Sequence, residues 1–313
     1  MRKTCLDMVH ELAKRDERVV FVGSDLSPGL LDGMRQEMPD RWYMEGVSEA
    51  NLIGLAAGLA MEGYIPYVNT IATFITRRCY EQVAVDLCLH ELPVRLIGNG
   101  GGLVYAPLGP THMAVEDIAL MRALPRMTVV APSDAEEMRR FMSVTPDWPG
   151  PLYIRLGKGG DPVIEELDRD FRIGRAIALD EPSDVALIAT GVMTGRARDA
   201  AALLRRQGVS AGVCHLHTVK PLDEEAVLGL ARRARLLVTV EEHSLIGGLG
   251  SAVTELLVDR LEGVLPAILR LGLPDSFTSD YGSQDSLLEQ FGLQPPQIAE
   301  RVAAAHARLA AAA

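Results

Sequence analysis

The feature that most constrains this chain is a repeated alternation of short apolar runs with longer amphipathic segments. RVVFV (18–22) reads as a strand, because a brief, unbroken, β-branched run suits a strand covered on both faces. SEANLIGLAAGLAME (48–62) reads as a helix, with Ser48 at its N-cap and small residues that permit close packing. A strand near 64–68, a helix near 75–90, a strand near 94–98 and a helix near 114–124 follow. MTVVAP (127–132) is a buried strand, Ser133 and Asp134 cap another helix, and PLYIRLG (151–157) is a further strand. Residues 158–183 change character, with GKGGD, an acidic stretch and EPSD; they read as a connecting region with room for a short hairpin at 171–180. A second series then begins. It runs through strand DVALIAT, helix 194–207, strand SAGVCHLHT, helix 223–234, strand RLLVTVEEH, helix 248–261, strand 266–271 and an alanine-rich C-terminal helix. Strands alternating with helices form parallel βαβ units. The expectation is an α/β chain of two tandem doubly wound domains with largely parallel sheets: 1–160, a linker at 161–175, and 176–313.

Length and charge agree with this plan. At 313 residues the chain exceeds one ordinary compact domain. The balance of 31 basic against 42 acidic residues, net −11, argues against binding nucleic acid or an anionic membrane. The N-terminal stretch lacks the apolar core of a signal peptide, and no apolar run is long enough to span a bilayer, so a cytoplasmic protein is expected. Cys5, Cys79, Cys88 and Cys214 show no metal-type spacing and read as reduced, structural thiols.

Single glycine clusters say little. Asn99–Gly102 follows a strand but lacks a dinucleotide fingerprint. GGLGSAV (247–253) opens a helix that could hold an anion, although a close strand–helix turn explains it as well. Glu49, one residue into an apolar helix, is compatible with a first-turn acid favoured by the helix dipole. A wider pattern carries more. GVSEANLIGLAAGLAMEGYIPYVNTIATFITR (46–77), GPTHMAVEDIALMRALPRMTVVAPSDAEE (109–137) and GSDLSP (23–28) resemble segments of the transketolase family in the right order. HTVKPLD (217–223) and EEHSLIGGLGSAV (241–253) resemble that family's C-terminal domain.

The resemblance implies thiamine diphosphate as cofactor. Residues 1–160 would be the pyrimidine-binding domain and 176–313 the transketolase C-terminal domain. The domain that carries the diphosphate and Mg2+ has no counterpart here, since no Gly-Asp-Gly with a downstream Asn occurs. The resemblance therefore implies a separate N-terminal-half subunit carrying that domain, an α2β2 heterotetramer, and no metal ligands in this chain. Glu49 matches the catalytic glutamate that activates the cofactor. Phe74 matches the aromatic that stacks on the aminopyrimidine, Ile71 falls where a second aromatic often stands, and Asp25 matches an acid near the cofactor. His112 matches a substrate-facing histidine suited to proton transfer, catalytic as well as substrate-binding.

On the substrate side the pattern changes. The resemblance places Arg2 and Lys158 as cationic contacts, with Lys158 standing where an arginine is usual. A serine position falls on Gly29 and a histidine position on Gly100. An acid expected before Gly109 is Leu108. Arg77 stands at a substrate-side position, with a helix-surface role equally open. The implied function is two-carbon ketol transfer from a ketose or ketose phosphate to an aldehyde acceptor by a split transketolase. The alternatives are a 2-oxo-acid dehydrogenase β subunit or a relative of deoxyxylulose-phosphate synthase.

Overall fold

In the computed structural model, residues 1–312 are described except 25, 27–28, 165–170, 182–183 and 279. The first half of the chain runs α1 (Arg2–Arg15), β1 (Val19–Gly23), α2 (Asp32–Glu37), β2 (Trp42–Met44), α3 (Glu49–Met61) and β3 (Ile65–Ile71). A helical segment follows in which α4 (Tyr80–Gln82) lies between π-helical stretches Phe74–Arg78 and Val83–Cys88. Then come β4 (Arg95–Asn99), α5 (Asp117–Ala123), β5 (Thr128–Val130), α6 (Ala135–Val144) and β6 (Leu152–Leu156). The second half holds β7 (Ile177–Ala178), β8 (Val185–Ala189), α7 (Met193–Arg206), β9 (Ala211–His215), β10 (Thr218–Lys220), α8 (Glu224–Ala231) and β11 (Leu236–Ser244). It ends with α9 (Leu249–Arg260), β12 (Ala267–Leu273), α10 (Gln284–Gln290) and α11 (Pro295–Ala312).

These strands form two sheets, ordered β2-β1-β3-β4-β6-β5-β10 and β12-β11-β8-β9-β7. All pairings are parallel except β10 on β5 and β7 on β9. Both sheets are covered on both faces, and alternate residues divide between the two cores. Along β6, Leu152 and Ile154 join α1 and α6, whereas Tyr153 joins α3 and α5. Along β8, Leu187 packs on α7 and α11, whereas Ile188 packs on α8 and α9. The unbroken apolar runs were legible as strands for this reason.

Four expectations need adjustment. SAGVCHLHT is two strands, because β9 stays in the second sheet while β10 crosses to the free edge of β5 in the first. No hairpin forms at 171–180; β7 pairs antiparallel with β9 instead. The helix expected near 75–90 is largely π-helical, a form that often marks functional segments. Ser48 occupies the N-cap of α3, yet its hydroxyl donates to the Glu45 carbonyl at 2.9 Å instead of capping the helix. Asp134 caps α6 as expected, accepting from Glu136 and Glu137 N–H groups. All four thiols are buried and free, and burial pushes them up to about 11 or 12, which suits inert thiols.

Buried polar side chains join the two sheets. Arg155 on β6 reaches Asp117 on α5 through Nε at 2.8 Å, and its Nη2 donates to the Glu242 carbonyl on β11 at 2.9 Å. The Tyr153 hydroxyl donates to the same carboxylate at 2.7 Å. Burial alone would raise the Asp117 carboxyl, but the adjoining guanidinium outweighs it and holds the group below its ordinary value. Glu242 accepts the Leu103 N–H at 2.7 Å and both its oxygens meet Gln284 Nε2 at 2.9 Å; burial nevertheless raises it. Next to it, Glu241 accepts the Leu249 and Gly250 N–H groups at the head of α9. The anion that the glycine turn at 247–253 holds is thus the chain's own carboxylate. On the other side of the seam, His215 Nε2 meets Glu137 at 3.0 Å and its Nδ1 meets the Thr194 hydroxyl at 2.6 Å.

Two outcomes follow from this seam. Arg155→Met leaves Asp117 charged, buried and unpaired, and should cost about 3–5 kcal/mol in urea denaturation; Asp117→Asn added to it should restore part of the loss. His217, whose Nε2 is buried without a partner, is pushed by burial from its ordinary 6.5 down to about 4. The unfolded chain therefore binds more protons between those values, and stability falls as pH drops through that window, by roughly 3 kcal/mol. Denaturation midpoints measured from pH 7.5 to 4.5 should show this loss, and His217→Gln should flatten it.

Candidate active site

Three segments converge on Glu49. The residue opens α3, is only 4% exposed, and its Oε2 accepts a hydrogen bond from Arg78 Nη1 at 2.8 Å. The Arg78 guanidinium lies over the Phe74 ring, 4.5 Å from its centroid. Phe74 and Arg78 bracket the first π-helical stretch. The opposite neighbour of Phe74 is His112, with ring centroids 5.2 Å apart and an edge-on geometry. Thr73 donates from its hydroxyl to the His112 carbonyl at 2.9 Å, fixing one segment to the other. Glu49, Phe74 and His112, far apart in sequence, thus form one cluster. Ile71 ends β3 beside it, half-buried and in register with Asn99.

His112 rides on a loop closed at its base. Gly102 N–H donates to the Ala114 carbonyl at 2.7 Å and Ala114 N–H donates back at 3.1 Å. Gly102 has a φ of +73°, and a Cβ there would lie 2.5 Å from Glu242 Cδ, so only glycine lets the second domain's carboxylate reach the loop. Arg77 pairs with Glu116 and donates to the Met113 carbonyl at 3.1 Å, bracing the far end of the same loop.

The loop also walls a cavity of about 250 Å³. Arg2 from α1, Lys158 from the segment after β6, and Asn99, Gly100, Tyr105 and Leu108 line it. The two expected cations therefore meet although they stand at opposite ends of the first half of the chain. Neither side-chain charge has a hydrogen-bonding or ion-pairing partner among the described residues. Arg77 does not line this cavity; it faces a separate small pocket with Leu103 and Phe277. Asp25 lies outside the described residues. Gly29 borders a different cavity, also about 250 Å³, beside Asp32, Arg35 and Trp42. Among the described residues, no group of three or more His, Cys, Asp or Glu side chains could hold a metal ion. No described helix is long and apolar enough to cross a membrane.

Sequence reasoning passed over Arg78, Asn99 and Tyr105. Arg78 was masked by the adjacent Arg77, and only the π turn decides which of the pair faces Glu49. Asn99 carried a usable signal, as a polar residue closing a buried strand. Tyr105 explains the glycine at position 100, where φ is +74° and a Cβ would lie 2.2 Å from the Tyr105 ring.

The two-sheet arrangement with an acid, an aromatic ring and a histidine at one end of the first sheet defines a two-domain α/β enzyme half. Its first part, residues 1–160, matches the transketolase pyrimidine-binding domain, and residues 174–298 match the transketolase C-terminal domain. The chain belongs to the transketolase family and is the C-terminal half of a transketolase-type transferase. It is 39% identical over 307 residues to the 6-deoxy-6-sulfo-D-fructose transketolase subunit SqwH of Clostridium sp. (strain MSTE9), covering 98% of this chain and 93% of that one. It is also 39% identical over 310 residues to 1-deoxy-D-xylulose-5-phosphate synthase 1 of Geobacter sulfurreducens, covering 97% of this chain but only 47% of the synthase. Among solved structures, a split gene transketolase described as an inactive beta4 tetramer superposes with a TM-score of 0.89 at 36% identity, over 98% of both chains. Transketolases and deoxyxylulose-phosphate synthases are thiamine diphosphate enzymes.

The packing of Tyr105 on Gly100 has a measurable consequence. Gly100→His should destabilise the chain by about 1–3 kcal/mol through overpacking, with about 1 kcal/mol more for the left-handed backbone. Adding Tyr105→Ala should remove the first part and leave the second, as read from thermal denaturation midpoints.

Proposed function

We propose that this chain is the cofactor-activating subunit of a split transketolase, moving a two-carbon ketol unit from a ketose donor to an aldehyde acceptor. The observation that carries the reading is the buried Glu49 carboxylate beside the Phe74 ring. Their arrangement fits the aminopyrimidine of thiamine diphosphate, because Arg78 already satisfies both with a planar group bearing N–H donors. A flat ring with a protonated nitrogen needs the same two partners. When bound, the cofactor supplies the nucleophilic carbon that attacks the donor carbonyl. Glu49 holds a proton shared with the pyrimidine ring nitrogen, Phe74 and Ile71 give the ring its apolar wall, and Asp25 adds an acid near the cofactor. His112 moves protons at the substrate oxygens. Arg2 and Lys158 bind an anionic terminus, phosphate or sulfonate, through charge left unpaired among the described residues. Arg77, engaged by Glu116, holds the His112 loop in place.

The diphosphate and Mg2+ belong on an N-terminal-half partner subunit, in an α2β2 assembly. The outer face of α3 supports this. Gly54 and Gly58 leave its surface without side chains, and Val47, Met61, Val85 and Leu89 stand exposed around it. An apolar face of this kind suits a permanent partner. In this reading 1–160 and 176–313 are the pyrimidine and C-terminal domains, joined by 161–175, and the enzyme works in the cytoplasm. A second reading, synthase-type chemistry on a 2-oxo acid, has support from the 39% identity to the Geobacter enzyme.

Calorimetric titration of thiamine diphosphate and Mg2+ should show binding to the mixture of this chain with its N-terminal-half partner, not to this chain alone. In the mixture Glu49→Ala should lower turnover about 10²- to 10⁴-fold. Unchanged turnover in that variant would sink the assignment. Release of carbon dioxide from pyruvate, without ketol transfer from any ketose in a panel of phosphorylated and sulfonated sugars, would select the second reading.

A further inference from the structure

The Arg78 guanidinium sits at the centre of the candidate site, yet the proposed chemistry gives it no part. Its Nη1 donates to Glu49 Oε2 at 2.8 Å, and its Cζ lies over the Phe74 ring, 4.5 Å from the centroid. The π-helical stretch Phe74–Arg78 sends its two arginines to different acids, Arg77 to Glu116 and Arg78 to Glu49. The partners in the second pair differ in their surroundings. The Glu49 side chain is 4% exposed, whereas that of Arg78 is 51% exposed. A carboxylate so deeply buried needs a partner, because desolvating a lone charge is costly. Among the described residues no second cation pairs with it. Arg78 meets that need from a half-exposed position, on a long flexible stem.

We propose that Arg78 is a resident competitor of the cofactor and sets its affinity: the guanidinium holds the carboxylate and the ring face that the aminopyrimidine of thiamine diphosphate takes, and it swings aside when the cofactor enters. The proposal rests on the assignment of Glu49 and Phe74 to that aminopyrimidine, and deepens it. The two groups are chemically alike. Each is flat, each carries N–H donors for a carboxylate, and each stacks on an aromatic ring. One ring face and one carboxylate cannot accommodate both. Glu49 cannot yield, since it is buried in the first turn of α3. Arg78 can, because its charge is already half in water and loses little by moving fully into it. The cofactor's apparent dissociation constant is then its intrinsic value divided by the fraction of chains in which Arg78 stands aside. The exchange also keeps Glu49 paired throughout, first with the guanidinium and then with the pyrimidine ring.

A competitor and a brace are told apart by two measurements on Arg78→Met and Arg78→Ala. The first is the melting midpoint of this chain alone. Both variants should lower it, by roughly 2–4 °C, because Glu49 is left buried and unpaired, and adding Glu49→Gln should restore it. The second is calorimetric titration of thiamine diphosphate with Mg2+ into each variant mixed with the N-terminal-half partner. Both variants should bind the cofactor about three- to tenfold more tightly than the wild type. A guanidinium that only braces Glu49 would move both readouts the same way, lowering midpoint and affinity together. Cofactor binding equal to or weaker than that of the wild type in both variants overturns the proposal and leaves the proposed function standing. Arg78→Met keeps the length of the stem, so the comparison does not hang on how well Arg78→Ala folds. A wild-type mixture that binds no cofactor at all removes the proposed function, and this proposal with it.

Discussion

The placement of the candidate site depends on one buried ion pair. Asp117 is fully buried and Arg155 6% exposed, and their mutual attraction offsets a desolvation cost that neither could bear singly. What the pair adds is direction. Arg155 has donors to spare after meeting Asp117, and it spends them on the Ala114 carbonyl at the foot of the His112 loop and on the Glu242 carbonyl of the second sheet. Glu242 in turn receives the Leu103 N–H, where the same loop begins. Both ends of the loop are thus referred to a single guanidinium. His112, Tyr105 and Leu108 take their positions from that anchor, and so does the wall of the cavity between Arg2 and Lys158.

The same logic explains the glycine run at 100–102. It follows a strand without forming a dinucleotide fingerprint, and its glycines admit side chains: the Tyr105 ring at position 100 and the Glu242 carboxylate at 102. A stretch of glycine reports only that something comes close. Here the approaching groups are protein, one of them from the other domain. The helix-opening turn at 247–253 repeats the lesson, with Glu241 accepting the N–H groups that an external anion would otherwise seek.

Most of the architecture was legible because strands buried on both faces are apolar throughout, and the helices between them keep a clear amphipathic period. RVVFV, RLLVTVEEH and DVALIAT all became strands. The misreadings share a physical cause, which is that sequence shows burial but not destination. HLHTVK is as buried as a continuous strand would be, yet the chain changes sheets between His215 and Thr218. Glu49, Phe74 and His112, which the fold brings together, were singled out through a pattern spread over the first half of the chain. Arg78 and Tyr105 were not, because a π turn and a ring's reach are set by tertiary contacts that no local spacing encodes.

The crossing of β10 has a bearing on how the chain is made. β5 has a parallel neighbour on one side only, and its other edge is closed by residues that follow it by most of a domain's length. During synthesis that edge stays open until everything between Val130 and Thr218 has left the ribosome, and open strand edges invite pairing with other chains. Residues 1–160 cut out as a separate protein would keep that exposure for good. The two halves are linked in sequence for a structural reason: the second completes the sheet of the first.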